Sequence, residues 1–137
     1  MQIATFLGQV IEGFDKLPLS AYPALVVVPN STITNWIREL ERWAPNLRVV
    51  PFYGDTKARE IIRQYELYHP TTKAKTTGAK FHVLVTTYET FTNARDVGTL
   101  FKNMPRWEVL VVDEGQRREY CCDVSPALML TIHFSQE

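Results

Sequence analysis

Nowhere in these 137 residues is glycine followed by lysine. That absence excludes the loop G-x-x-x-x-G-K-[S/T], whose backbone N–H groups and lysine cradle a nucleotide's phosphates. Cysteine is scarce as well. The only two, Cys121 and Cys122, are adjacent, which fits neither a zinc-ligand spacing nor a multi-disulfide framework and makes a reducing compartment the expectation. Apolar runs stop at about five residues, against the ~20 needed to span a bilayer. No basic stretch followed by an apolar core opens the chain, so no membrane partner is expected. Excess charge of one sign is missing too. Fifteen basic and fifteen acidic residues cancel, so any contact with nucleic acid must come from local geometry rather than from an overall positive field.

What is present is core material. A hydrophobic content of 45% in one domain's length of chain is enough to build a buried interior. Ile3, Phe6, Leu7, Val10, Ile11 and Phe14 form one apolar helical stripe that ends near Pro18. Ala24 to Val28, between Pro23 and Pro29, is a continuous apolar run of the kind found in a parallel strand covered on both faces. Ile33, Trp36, Ile37 and Leu40 return to helical spacing before Pro45. Leu47 to Tyr53 predicts a second strand and Gly54-Asp55 a turn, followed by a helix with Ala58, Ile61, Ile62, Tyr65 and Tyr68 on its inner face. His69 to Lys80 is polar and predicts a surface loop. Phe81 to Thr86 predicts a third strand, residues 87–104 a broken helical stretch, and Trp107 to Val112 a fourth strand. Such alternation implies a parallel sheet with helices on both faces, and ligands then gather beyond the carboxyl ends of the strands.

The last of these strands runs straight into Asp113-Glu114-Gly115-Gln116. An apolar strand that delivers two adjacent carboxylates to a sheet edge has the form of a Walker B element. Phosphoryl transfer to water needs one carboxylate for Mg²⁺ and another for the attacking water. Asp113 suits the first role and Glu114 the second. A buried strand ending in a solvated acidic turn would read the same way, and these four residues alone leave both open. Asn30-Ser31-Thr32 poses a similar choice. It lies where a strand hands over to a helix, so it can present hydroxyls and free N–H groups to an anion, or Asn30 or Ser31 can simply cap the helix. Trp36, Trp43 and Trp107 are read as core. His69 and His82 have no partner at metal-ligand spacing and are read as structural.

Four blocks in order resolve the ambiguity. The run Pro23 to Thr32 with Asn35-Trp36, Glu39 and Trp43-Ala44-Pro45 resembles the first nucleic-acid motif of the Swi/Snf-type chromatin-remodelling ATPases. Val83 to Glu89 resembles the second. Asp113-Glu114-Gly115-Gln116-Arg117 is similar to the family's acidic box, with Gln where His is usual. Tyr53-Gly54-Asp55 with Arg59, Ile62-Arg63 and Glu66 looks like the chromodomain-helicase branch.

This resemblance implies a three-layer α/β fold with a mostly parallel sheet, a RecA-like (P-loop NTPase) helicase lobe truncated at both ends. Residues 1–117 would be a partial N-terminal ATPase lobe and 118–137 a divergent tail, in which Leu128 to Thr131 can still add an apolar strand. It further implies a nuclear, DNA-stimulated ATP hydrolase that translocates on double-stranded DNA and moves nucleosomes. ATP and Mg²⁺ would be its cofactors and a second motor lobe its partner. Asp113 and Glu114 would bind nucleotide, with Asp113 holding Mg²⁺ through water, and Gln116 would join them in catalysis. Asn30, Ser31, Thr32, Thr86, Thr87 and Tyr88 would contact DNA phosphates, which position a motor without reading sequence. Lacking the Gly-Lys loop and the second lobe, the isolated chain is expected neither to bind ATP tightly nor to hydrolyse it. The alternatives are a non-catalytic DNA-binding or partner-docking module and, from another class, a small-molecule-binding or structural α/β domain.

Overall fold

The computed structural model describes residues 4–9, 23–67, 81–93, 95, 98, 107–113 and 128–134. Among the described residues, five strands form one sheet: β1 (Ala24–Val28), β2 (Val49–Phe52), β3 (Val83–Thr87), β4 (Trp107–Asp113) and β5 (Leu128–Phe134). Their order is β2-β3-β1-β4-β5, and every neighbouring pair runs parallel. The four expected strands are all there. β5 contains Leu128 to Thr131 and lies beside β4 on the side away from β1.

The apolar runs explain the layering. All five residues of β1 and all five of β3 are buried, as a strand sandwiched between helices requires. Alternate residues then feed two separate cores. Val26, Val28, Val83, Val85, Val109 and Val111 join Ala4 and Leu7 from helical residues 4–9 (α1) and Ile33 and Leu40 from α2 (Ile33–Trp43). Leu25, Val27, Leu84, Leu110 and Val112 face the other way. There they meet Leu67 and the Tyr88 and Phe91 side chains of α4 (Tyr88–Phe91). The three-layer α/β arrangement expected from the sequence is thus present.

Two expectations need correction. Ile61 and Tyr65 do not face the core: they are 59% and 61% exposed. Helix α3 (Thr56–Ile62) passes into a π-helical turn, Arg63–Leu67. A wider turn brings residues five apart into line, so Ile62 and Leu67 pack inward while Tyr65 swings out. Trp43 is likewise not core. It is 41% exposed, with its indole N–H on Glu39 Oε2 at 2.9 Å and Arg42 stacked over its ring. Trp107, by contrast, is fully buried against Phe81. Outside the described residues lie Ile3, Val10, Ile11 and Phe14 of the first stripe, Tyr68, the 69–80 segment and most of 94–104.

Candidate functional site

Because all strands run parallel, their carboxyl ends share one edge of the sheet. Val28 pairs with Thr87, and Val27 with Val112. One residue further along, Asp113 comes level with Val28 and Thr87. The turn Pro29 to Thr32, the end of β3 and the acidic strand end therefore share one edge.

Asp113 is 3% exposed. A carboxylate so deeply placed requires hydrogen-bond donors. One is the indole N–H of Trp36, 2.9 Å from Asp113 Oδ2. Strand periodicity explains the pairing, since Asp113 has the parity of Val109 and Val111 and so sits on the face covered by α2. Among the described residues no three His, Cys, Asp or Glu side chains converge on a point that could hold a metal. A single oriented carboxylate nevertheless fits Mg²⁺, which keeps most of its waters and takes one or two carboxylates together with substrate phosphates. Glu114 and Gln116 lie outside the described residues.

At the start of α2, Thr32 is the N-cap residue but makes no side-chain cap bond. Its hydroxyl instead donates to the Pro29 carbonyl at 3.1 Å. Asn30 and Ser31 are exposed. Neither of them occupies the N-cap position, so the helix-capping reading of this pair is not the arrangement found.

On β3 the three expected DNA residues separate. Thr86 is 1% exposed, and its hydroxyl donates to the Phe52 carbonyl at 2.8 Å. Thr87 caps α4, accepting from the Thr90 N–H at 3.3 Å, with the two hydroxyls 3.0 Å apart. Tyr88 is turned into the second core.

A cleft of about 370 Å³ opens beside these strand ends, lined by Asn30, Tyr53, Gly54, Arg59, Thr87, Glu89 and Thr90. It joins two of the expected phosphate residues, Asn30 and Thr87, but not Asp113. Among the described residues, Arg59 is the one base that lines it. The guanidinium is fixed by donation to the Gly54 carbonyl at 2.6 Å, on a glycine at φ 104°, a left-handed conformation that side-chain-bearing residues rarely adopt. Glu89 brings the opposite charge to the rim.

Sequence spacing gives Trp36 and Arg59 no functional role. Trp36 follows a helical core stripe and so looks like core. Arg59 is one arginine among several charged residues on α3. Only their distant neighbours mark them.

The SNF2-related domain matches residues 1–125 of this chain. Over 100 residues the chain is 49% identical to Protein CHROMATIN REMODELING 4 of Arabidopsis thaliana, covering 71% of this chain and 4% of that protein. It is 40% identical over 95 residues to Chromodomain-helicase-DNA-binding protein 1 of Gallus gallus, covering 69% of this chain and 5% of the relative. The chain thus spans about a twentieth of the length of these relatives. Among solved structures, the Sulfolobus solfataricus SWI2/SNF2 ATPase core in complex with dsDNA superposes with a TM-score of 0.56 at 20% identity, over 93% of this chain and 24% of that one. That likeness shows the fold, a RecA-like lobe. With the motif order, the parallel sheet and the domain match in agreement, the chain belongs to the SNF2-related family of helicase-like ATPases, similar to its chromodomain-helicase branch.

Proposed function

We propose that these residues carry the DNA-contacting and acid-bearing part of an ATP-driven DNA translocase that moves nucleosomes in the nucleus. The observation that carries this reading is the shared sheet edge, where the first turn of α2 follows the exposed Asn30-Ser31 turn and, through Trp36, reaches the buried Asp113. In the assembled motor, bound ATP with Mg²⁺ supplies the transferable phosphoryl group and neutralises its charge. Asp113 would hold the metal through its waters. Glu114 would position the attacking water and take its proton, and Gln116 would join the two acids in catalysis.

Double-stranded DNA meets the other half of the edge. Asn30, Ser31, Thr32 and Thr87 offer polar groups to its phosphates, and Arg59 adds a local cation to a chain of zero net charge. Thr86 and Tyr88 act from beneath, holding the end of β3 in place. By themselves these residues neither bind ATP tightly nor hydrolyse it, since no Gly-Lys phosphate loop is among them.

Duplex binding by fluorescence anisotropy between low and physiological salt tests the DNA reading. Saturable binding that weakens with salt is expected, and no binding at low salt refutes it. Phosphate release is the second measurement. Stimulation by DNA that disappears in Glu114→Gln would show the chain to be a complete hydrolase and overturn the inactivity. For the chain in isolation, the missing Gly-Lys pair also favours the second reading, a DNA-binding or docking module without nucleotide chemistry. Salt-dependent DNA binding indifferent to ATP is its signature.

A further inference from the structure

The bond between Trp36 and Asp113 joins the two halves of this edge. Satisfying a buried carboxylate needs only a donor, and a serine, a threonine or a backbone N–H on the same face would serve. Here the donor sits one turn into the helix that begins at the Asn30-Ser31-Thr32 turn. The Trp36 backbone N–H donates to the Thr32 carbonyl at 3.1 Å, and the Thr32 N–H and hydroxyl both bond the Pro29 carbonyl at 3.1 Å. Pro29, Thr32 and Trp36 are therefore hydrogen-bonded in series. The series ends on Asp113 Oδ2, at 2.9 Å.

We infer that Trp36 is a positioning residue that couples DNA occupancy of the Asn30–Thr32 turn to the orientation of Asp113, an inference that rests on the DNA reading of that turn. Asn30 and Ser31 precede α2 but lie within the turn that the Pro29–Thr32–Trp36 bonds tie to its first turn, so a phosphate that draws in this pair also displaces the indole. N–H···O hydrogen bonds occupy a narrow range of about 2.7–3.2 Å, so a few tenths of an ångström at the indole change the hold on the carboxylate. Coupling requires differential contact in two states. The indole is placed to supply it, because it rides on α2 while Asp113 rides on β4.

Indole N–H resonances of the 137-residue chain provide the test, since the chain contains three tryptophans and so three such signals. Asp113→Asn, which keeps shape and removes charge, is expected to move the Trp36 indole proton upfield and leave that of Trp107 in place. Adding a short duplex is expected to shift the Trp36 indole signal in parallel with binding followed by anisotropy. An Asn30→Ala/Ser31→Ala variant, saturated with duplex through the remaining contacts, should lose the Trp36 response while keeping the Asp113-dependent position. Signals are assigned through-bond, so no tryptophan has to be replaced, and an otherwise unchanged spectrum shows that each variant folds. Duplex binding with a stationary Trp36 signal overturns the coupling and leaves the DNA reading standing. Absence of duplex binding overturns both. An Asp113→Asn spectrum with Trp36 unmoved overturns the bond itself.

Discussion

The Thr86 hydroxyl donates to the Phe52 carbonyl at 2.8 Å, tying β3 to the edge strand β2 in a site closed to solvent. A side chain placed there stabilises the sheet end and cannot itself reach a DNA phosphate. Thr86→Val keeps the volume and removes the donor. A loss of about 1 kcal/mol in urea unfolding is expected, the usual net worth of a buried hydrogen bond, with duplex affinity unchanged. A variant that folds as stably as the parent but binds DNA more weakly would show that Thr86 acts at the DNA surface after all.

Arg59 carries the opposite expectation. Its guanidinium lines the Asn30–Thr87 cleft and is braced on Gly54. Arg59→Gln should weaken duplex binding and lower the slope of log affinity against log salt by about 0.9, the value for one phosphate contact. An unchanged slope would remove Arg59 from the DNA surface.

Gly54 supports that arginine through its carbonyl, at φ 104°. A side chain added there has room, since its Cβ would lie 3.5 Å from the nearest atom, Ala58 Cβ. Backbone strain alone should therefore cost about 1–3 kcal/mol in Gly54→Ala. Unfolding measurements check this, and a neutral outcome would mean that the turn adopts another conformation in solution.

The π-helical turn makes a paired prediction. Leu67 is fully buried and Ile61 is 59% exposed. Leu67→Ala should cost about 2–5 kcal/mol, a large part of the stability of a domain this size. Ile61→Ala should stay within about 0.5 kcal/mol. Reversed magnitudes would restore the regular helical stripe that spacing alone suggests.

Local regularities were legible in the chain itself. The five-residue run Ala24–Val28 has no polar member, and a strand of that kind is stable only between two layers, so β1 lies in the sheet interior. The switch from a continuous apolar run to period 3.6 after Pro29 places α2, and the order of the Pro23–Thr32, Val83–Glu89 and Asp113–Arg117 blocks points to the family. Parity along β4 even determines that Asp113 shares a face with Val109 and Val111.

What covers that face was not legible. Trp36 and Asp113 are 77 residues apart, and no periodic pattern records which helix a strand residue will meet. Trp36 and Trp43 lie in the same helix, yet one reaches the buried acid and the other stays 41% exposed against Glu39 and Arg42. The packing of α2 makes the difference, since the helix lies over β3 and β2 while its first turn reaches the end of β4 at Asp113. Secondary structure follows from neighbours in sequence, so the residues alone determined the elements and the family. The donor to Asp113, the placing of Thr86 and the cleft that sets Arg59 beside Asn30 and Thr87 depend on how non-adjacent strands pair and which helix packs above them, and those were decided only by the tertiary fold.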